Sequence, residues 1–152
     1  MTPIVFQCRA TISGKPAAIA ERLLDLTRWP EFRGYGPLPG VKVAAFETRT
    51  ADVVGSRIRV ANDDGSSHVE EITVWQPERL LQLRLQEFSP PLCRFADQFV
   101  ETWELQGDGP GTHVTRRFEL HVKSRAAKPV VWLIGCLLKR AVARHMRQLG
   151  RE

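Results

Sequence analysis

The feature that most constrains the fold is a long apolar segment near the end of the chain, residues 127–150. Pro129 stands where a helix tolerates proline, in its first turn, and nine apolar residues, 130–138, follow without a break. This apolar run is far shorter than the roughly 20 residues that a helix needs to span a bilayer. Helical spacing joins six residues into one stripe: Val130, Leu133, Ile134, Leu137, Ala141 and His145. The pattern predicts a core helix that packs on a sheet.

Positive charge is concentrated in the same part of the chain. Residues 123–152 contain eight Lys and Arg and one acid, a net charge of +7, whereas the whole chain carries +5, which leaves −2 for residues 1–122. A local basic surface indicates either a solvated helix face or an anionic partner. The residues that would carry a peripheral membrane contact are Lys139, Arg140, Arg144 and Arg147. No aromatic–basic stacking surface accompanies them, so no nucleic acid partner is expected.

The composition is that of an ordinary globular domain. Of the 152 residues 43% are hydrophobic and 26% charged, with no repeat or linker, so we predict a single domain over residues 1–152. Cys8, Cys93 and Cys136 lack the spacing of a metal or redox site, and neither a metal nor a cofactor is predicted. The N-terminus lacks the basic start and apolar core of a signal peptide, which favours a cytoplasmic protein with reduced thiols.

The remaining elements are mostly strands. Residues 4–12 are rich in β-branched side chains, which predicts a strand, and apolar residues at helical spacing predict a short helix over 16–26. A Gly- and Pro-rich loop follows at 34–40 and is either a turn-rich connector or a gate over a pocket; Tyr35 lies at its centre. Six further strands are predicted at 41–49, 55–62, 67–75, 79–88, 94–105 and 112–122.

The connections between these strands indicate how they pair. Short loops between successive strands favour antiparallel hairpins over parallel crossovers. A sheet must bury one face, and the C-terminal helix is the only long apolar partner available. We therefore predict an α+β fold: a curved seven-stranded antiparallel sheet wrapped around a long C-terminal helix, with one or two short helices after the first strand.

Four segments and the closing helix carry a family pattern: DLTRWPEF at 25–32, WQPERL at 75–80, ETWEL at 101–105 and GTHVT at 111–115. They resemble the START-like superfamily, also called SRPBCC, which includes the polyketide cyclase/dehydrase family and lipid-transfer proteins. The resemblance covers nearly the whole chain. It implies the helix-grip fold, with an apolar or amphipathic small molecule bound between sheet and helix, and chemistry in only some members. No catalytic motif of the family matches residue by residue, so the resemblance implies no catalytic residue.

The last hairpin places charged residues among aromatic ones. On the 94–105 and 112–122 strands the predicted inward faces contain Phe99, Glu101 and Trp103 on one strand and Arg116 and Phe118 on the other. Pairing that buries both faces would set Glu101 opposite Arg116, Phe99 opposite Phe118 and Trp103 opposite Val114, with Asp97 diagonally nearby. For the 67–75 strand, in contrast, the pattern does not show which face is buried.

Three interpretations of this charged pair remain open. Glu101 and Arg116 form a structural ion pair; or Arg116 holds a carboxylate, phosphate or enolate oxygen of a ligand; or Glu101 or Asp97 acts as a general base. Because a neighbouring arginine lowers the pKa of a carboxyl group, we expect Glu101 to be unsuited to general acid catalysis at neutral pH.

The sequence therefore predicts a protein that binds a hydrophobic or amphipathic small molecule, lipid-, polyketide- or isoprenoid-like, in a cavity between sheet and helix. The alternatives are a cyclase/dehydrase-type enzyme on a polyketide-like substrate, with Glu101 or Asp97 as catalytic residues, and a membrane-surface or protein-partner module. Either a monomer or a homodimer is compatible with the sequence. The candidate ligand-binding residues are Tyr35, Leu83, Phe99, Glu101, Trp103, Arg116, Phe118, Leu133 and Leu137.

Overall fold

We describe the protein from a computed structural model that covers residues 1–152. The order of elements is the predicted one: a strand, short helices, six strands and a long helix. The helices are α1 (Pro16–Leu23) and α2 (Lys128–Leu149), with short 3-10 helices at Leu26–Glu31 and Leu92–Arg94. The strands are β1 (Ile4–Ser13), β2 (Val41–Thr48), β3 (Arg57–Asn62), β4 (Ser67–Gln76), β5 (Leu80–Gln86), β6 (Ala96–Asp108) and β7 (Gly111–Val122).

All seven strands form one antiparallel sheet in the order β1-β7-β6-β5-β4-β3-β2. Each strand from β2 to β6 pairs with the strand that follows it in the chain, and β1 pairs with β7. The edge strands are therefore β1 and β2, and α1 lies in the segment that connects them. Helix α2 packs against β1 and β7. The predicted helix-grip α+β fold is therefore confirmed. None of the helices is long and apolar enough to cross a membrane.

The turn between β6 and β7 is tighter than the predicted six-residue connection. Pairing of the two strands continues as far as Asp108 opposite Gly111, which leaves two residues in the turn. Gly109 has a φ of +60°, a left-handed conformation that glycine adopts without the steric cost of a Cβ. The polar residues before the turn therefore extend the ladder instead of forming a loop.

This tighter turn changes the register of the hairpin. Trp103 pairs with Arg116, and Glu101 pairs with Phe118. The predicted register, which set Glu101 directly opposite Arg116, was wrong by two residues. Because side chains alternate with a period of two, a slip of two residues keeps each of them on its predicted face.

A bulge in β4 explains why its buried face could not be read from the sequence. Ile72 pairs with Leu83 and Trp75 pairs with Leu81, although residues three apart on a regular strand point to opposite faces. The register shift between Ile72 and Val74 resets the alternation. The inward side of β4 therefore includes even-numbered residues before the bulge and Trp75 after it.

Helix α2 turns a different face to the sheet from the one predicted. Its buried residues are Val131, Gly135, Leu138, Ala141, Val142, Met146 and Leu149. Of the predicted stripe only Ala141 is buried, while Val130 and Leu133 are exposed and Ile134, Leu137 and His145 are partly buried. The predicted core stripe was therefore wrong by about one position, because the nine-residue apolar run contains two apolar faces.

The packed face of α2 approaches the sheet closely at one glycine. A Cβ added to Gly135 would lie 3.0 Å from Leu120 Cδ1 and 3.7 Å from Ile4 Cγ2. Interiors pack without spare volume, so a larger side chain would push the helix from β1 and β7. The absence of a side chain at Gly135 therefore allows α2 to pack closely against β1 and β7.

Candidate functional site

A cavity of about 500 Å³ lies between the sheet and α2. Sites for small organic ligands typically have volumes of about 300–1,000 Å³ and mainly apolar walls. The sheet contributes Leu81, Leu83, Leu85, Phe99, Trp103 and Phe118 to the wall, and α2 contributes Val130, Leu133, Ile134, Leu137 and Leu138. Most of the predicted stripe of α2 therefore faces a hollow instead of a packed core.

The main polar group of the wall is a chain of three side chains. Arg116 Nε donates to Glu101 Oε2 at 2.5 Å, and Arg116 Nη1 lies 3.0 Å from His145 Nδ1. Glu101 and Arg116 are both buried, and all three residues line the cavity. Strands β6 and β7 supply the ion pair and α2 supplies the histidine, so the cluster joins the sheet to the helix. Sequence reasoning placed Glu101 and Arg116 together correctly, although they meet diagonally and not as a direct pair.

Aromatic rings surround the Arg116 guanidinium. Its Cζ lies 4.2 Å from the ring centroid of Trp103, 5.4 Å from that of Phe118 and 5.6 Å from that of Phe32. The negative faces of aromatic rings attract a cation, and here they do so where water is largely excluded. The rings therefore help to stabilise a buried positive charge that Glu101 alone would have to balance.

Burial sets the protonation of the two partners of Arg116. Desolvation raises the pKa of Glu101, and it outweighs the opposing effect of Arg116; the nearby carboxylate of Glu70 adds to the rise. Arg116 lowers this pKa as expected, but the expectation of a lowered pKa overall was wrong, because burial of the carboxyl group outweighs the effect of Arg116. For His145, desolvation and the charges of Arg116 and Arg28 lower the pKa to about 3.

His145 is therefore neutral at physiological pH. Because its Nδ1 accepts a hydrogen bond from Arg116, the ring proton is on Nε2, which makes no hydrogen bond within the protein. The neutral ring avoids adding a second buried charge beside Arg116. His145 thus acts as an acceptor that orients the guanidinium and leaves one N–H free.

Asp97 does not face the cavity. It lies at a register shift between Ala96 and Gln98, where one extra residue interrupts the β6 ladder. The shift turns Ala96 inward, with only 1% exposure, and leaves Asp97 exposed to solvent. The prediction that Asp97 lies on the same face as Glu101 was wrong, because strict alternation does not hold through a bulge.

Tyr35 also lies outside the cavity wall. Its hydroxyl accepts a hydrogen bond of 3.0 Å from Arg140, and its ring contacts the guanidinium groups of Arg140 and Arg144. Arg144 also donates to the Gly34 carbonyl oxygen. The 34–40 loop is thereby tied to α2 by two of the four cations that were candidates for a membrane surface. Other residues of the loop, Pro37 to Pro39, line the cavity in place of Tyr35.

Six of the other predicted ligand-binding residues lie in the cavity wall, and their role in binding stays a prediction. Their exposure differs by position: the side chains of the sheet are deep, whereas Leu133 is 57% exposed and lies at the rim. The six are Leu83, Phe99, Trp103, Phe118, Leu133 and Leu137.

Sequence reasoning missed a second polar pair in the wall, His68 and Glu70 of β4. His68 Nε2 lies 2.9 Å from Glu70 Oε2. Two polar residues at i and i+2 on a strand are a usable signal for a polar site on one face, but the bulge after Ile72 hid which face that was. No group of three or more His, Cys, Asp or Glu side chains is placed to hold a metal ion.

A curved antiparallel sheet that grips a long helix around a mainly apolar cavity defines a START-like protein. In sequence, residues 3–151 match the family described as polyketide cyclase/dehydrase and lipid transport. The chain therefore belongs to this family. A search of curated proteins found no match to the chain.

Solved structures share the fold at low sequence identity. The ZhuI aromatase/cyclase from Streptomyces sp. R1128 is 11% identical with a TM-score of 0.73, covering 98% of this chain and 93% of that one. A START superfamily protein from Mycobacterium smegmatis is 14% identical with a TM-score of 0.66, covering 95% and 98%. The major latex-like protein 151 from Panax ginseng is 18% identical with a TM-score of 0.62, covering 96% and 99%. At these identities the likeness shows the fold alone.

Proposed function

We propose that the protein binds a hydrophobic small molecule that carries an anionic or strongly polarised oxygen, and that Arg116 holds this oxygen. The observation that carries the proposal is the open side of the guanidinium. Arg116 Nε and Nη1 are occupied by Glu101 and His145, whereas Nη2 makes no hydrogen bond within the protein. No buried side-chain polar atom lacks a partner, so Nη2 is accessible from the cavity that Arg116 lines.

The surroundings of Arg116 favour an amphipathic ligand over a purely apolar one. A fixed, partly desolvated guanidinium forms strong hydrogen bonds to carboxylate, phosphate or enolate oxygens, and His145 and Glu101 already hold it in place. The rest of the wall is mainly apolar and takes the skeleton of the ligand. Lipid-, polyketide- and isoprenoid-like acids all meet this description.

A pair of fluorescent probes with one skeleton tests the role of Arg116. 1-Anilinonaphthalene-8-sulfonate is anionic, and N-phenyl-1-naphthylamine lacks the sulfonate. Because a hydrogen bond to a charged group contributes about 1.5–3 kcal/mol, Arg116→Leu should weaken the anionic probe by about 10- to 100-fold and the neutral probe far less. Titration of both probes by fluorescence gives the two affinities.

The control for this test removes the acid that the substitution would leave unpaired. Arg116→Leu combined with Glu101→Gln should show the same selective loss, because the selectivity belongs to Arg116 and not to a disturbed fold. Equal weakening of the anionic and the neutral probe in both variants would contradict the assignment of Arg116.

A reaction in the same cavity is the second candidate, and the raised pKa of Glu101 favours it. A carboxyl group whose pKa is raised by burial can donate or accept a proton closer to neutral pH, and Arg116 beside it can polarise a carbonyl oxygen. Glu101→Gln should then abolish conversion of a polyketide-like substrate while its binding is kept. If Glu101→Gln lowers binding and conversion to the same degree, Glu101 is a structural partner of Arg116 and takes no part in proton transfer.

The rim of the cavity supports exchange of the ligand at an anionic membrane surface. Val130, Trp132 and Leu133 are 39%, 58% and 57% exposed at the start of α2, and Val130 and Leu133 also line the cavity. Lys128 beside them is exposed, and the segment 123–152 has a net charge of +7. Exposed aromatic and aliphatic groups next to cations are the chemistry of peripheral membrane contact.

The cellular compartment is part of the same proposal. All three cysteines are free thiols, as expected for a protein of the reducing cytoplasm. We expect a cytoplasmic protein that takes its ligand from the inner membrane surface or from solution. Fractionation of cells that express the intact protein tests this location.

A further inference from the structure

A second polar position lies in the cavity wall, away from Arg116. His68 and Glu70 both line the cavity, and their side chains are 12% and 9% exposed. His68 Nε2 is bonded to Glu70 Oε2 at 2.9 Å, so each residue satisfies the other through one atom. A histidine and a carboxylate are expensive to place in an apolar wall, and Arg116 does not need them as partners.

The unbonded atoms of the pair are acceptors. Glu70 Oε1 and His68 Nδ1 make no hydrogen bond within the protein, and no buried side-chain polar atom is left without a partner, so both atoms are accessible. In the neutral ring whose Nε2–H donates to Glu70 Oε2, His68 Nδ1 is an acceptor. The pair therefore offers two acceptors and calls for a hydrogen-bond donor from the ligand.

The charge around the pair selects a neutral donor. Glu70 lies near enough to Glu101 for its charge to affect the carboxyl group of that residue. An anionic group of the ligand would be repelled at this position, and a cationic group would have to cross an apolar cavity without its hydration. A hydroxyl group can donate to either acceptor without bringing a net charge.

The backbone places the pair at a distance from Arg116. Glu70 pairs with Leu85 of β5, and Leu85 pairs with Phe99 of β6. Glu101 lies two residues after Phe99 on β6. Two strand spacings of about 4.8 Å and two residues of about 3.4 Å put the Cα atoms of Glu70 and Glu101 roughly 12 Å apart along the sheet, and their side chains converge from there on its concave face. A ligand that reaches both polar positions therefore needs an extended skeleton.

Aromatic rings line the approach to the second position. The Phe88 ring lies 6.0 Å from the His68 ring and 4.9 Å from the Phe99 ring, measured between centroids. Both phenylalanines belong to the cavity wall. Flat, unsaturated groups stack well against such rings, so the skeleton next to the hydroxyl group is expected to be aromatic or otherwise planar.

We propose that His68 and Glu70 form a second ligand subsite, which binds a neutral hydroxyl group of a planar apolar molecule whose anionic or carbonyl oxygen contacts Arg116. The proposal rests on the proposed function and deepens it. It narrows the ligand class from amphipathic molecules in general to bifunctional ones, such as hydroxylated aromatic acids, with oxygen groups at opposite ends.

Two acids that differ by one hydroxyl group test the subsite. Biphenyl-4-carboxylate carries only the group for Arg116, and 4′-hydroxybiphenyl-4-carboxylate adds a hydroxyl at the far end. Calorimetric titration of the wild-type protein should show about tenfold tighter binding of the hydroxylated acid, the gain of one good hydrogen bond. Because the hydroxyl group can donate to either residue, the double variant His68→Phe/Glu70→Leu should abolish this preference, expressed as the ratio of the two affinities, in which a change of cavity shape common to both acids cancels.

Two further variants secure the interpretation. Glu70→Gln keeps the shape of the side chain but removes the carboxylate that orients His68, and it should reduce the preference even if the double variant does not fold. His113→Phe makes the same exchange on an exposed histidine of β7 and should leave the preference unchanged. A wild-type protein that binds both acids equally, or a preference that is undiminished in the double variant, overturns the subsite alone. Failure of both acids to bind would overturn the proposed function together with it.

Discussion

The two apolar faces of α2 differ in what they touch. One face packs against the sheet, and its residues Val131, Val142 and Met146 are 1% exposed or less. The other, which includes Leu133 and Leu137, borders the cavity and its rim. Both faces begin in the unbroken apolar run 130–138, where hydrophobicity does not distinguish them. The comparison shows that the same helix supplies stability on one side and binding surface on the other.

The difference has an energetic consequence. Side chains on the packed face exchange water for dense protein contacts, which contribute transfer and dispersion free energy together. Side chains on the cavity face keep one side free, so they contribute less to folding and more to the attraction of an apolar ligand. Substitutions on the two faces should therefore separate stability from affinity.

The largest difference is expected between Met146→Ala and Leu137→Ala. Met146 is 1% exposed, and its truncation in a packed core should lower the free energy of unfolding by about 2–5 kcal/mol. Leu137 borders an existing hollow, so its truncation should cost clearly less stability but weaken the binding of N-phenyl-1-naphthylamine. Urea unfolding and fluorescence titration of both variants measure the two effects. Equal losses of stability would mean that the cavity is filled in solution.

His145 joins the two faces near the end of α2 and should make stability depend on pH. Its pKa is about 3 in the folded protein against 6.5 ordinarily, so the unfolded chain binds a proton that the folded protein excludes. Its contribution is complete above pH 6.5 and is lost as the pH falls towards 3. In that window the wild type should lose up to about 1.4 kcal/mol per pH unit more than His145→Gln does.

The measurement is the free energy of unfolding of both proteins between pH 7 and pH 4. Glu101 has the opposite sign, because its raised pKa favours the protonated form in the folded state, and stability from this source is lost as the pH rises above 4.5. Since both proteins retain Glu101, its effect cancels in the comparison. Unfolding free energies that change in parallel with pH would contradict the buried neutral histidine.

The fold could be predicted from the sequence because it depends on patterns that repeat over many residues. Alternation, turn residues and the long apolar helix define seven strands and their partner, and single irregularities do not alter that count. The register of the last hairpin was missed by two residues because the polar residues up to Asp108 belong to the strand and not to the loop. A register error of two residues keeps each side chain on its predicted face of the sheet, so Glu101 and Arg116 were still placed together.

The site was less predictable because local irregularities determine it. The bulges near Asp97 and Ile72 each reverse the alternation of a strand, and neither position carries a glycine or proline that would mark it. One bulge removed Asp97 from the cavity, and the other concealed that His68 and Glu70 enter it. Hydrophobic periodicity shows which residues of a helix are apolar, but it does not show whether they pack against the sheet or border a cavity. The packed face and the cavity face of α2 could therefore not be distinguished from the sequence.

The smallest effect on stability is expected at the rim, where the cavity face of α2 meets solvent. Trp132 is 58% exposed, so Trp132→Ala should change the free energy of unfolding by less than about 0.5 kcal/mol. The same change should weaken binding to vesicles of phosphatidylglycerol and phosphatidylcholine, because an indole at the membrane interface is lost. Co-sedimentation at low and high salt measures this binding, and Val43→Ala, at another exposed apolar residue on β2, is the control.

Of the cations, Lys139 and Arg147 should matter more for vesicle binding than Arg140 and Arg144, whose guanidinium groups are held by the 34–40 loop. If Trp132→Ala binds vesicles as well as the wild type does, the exposed start of α2 covers the cavity but does not contact the membrane.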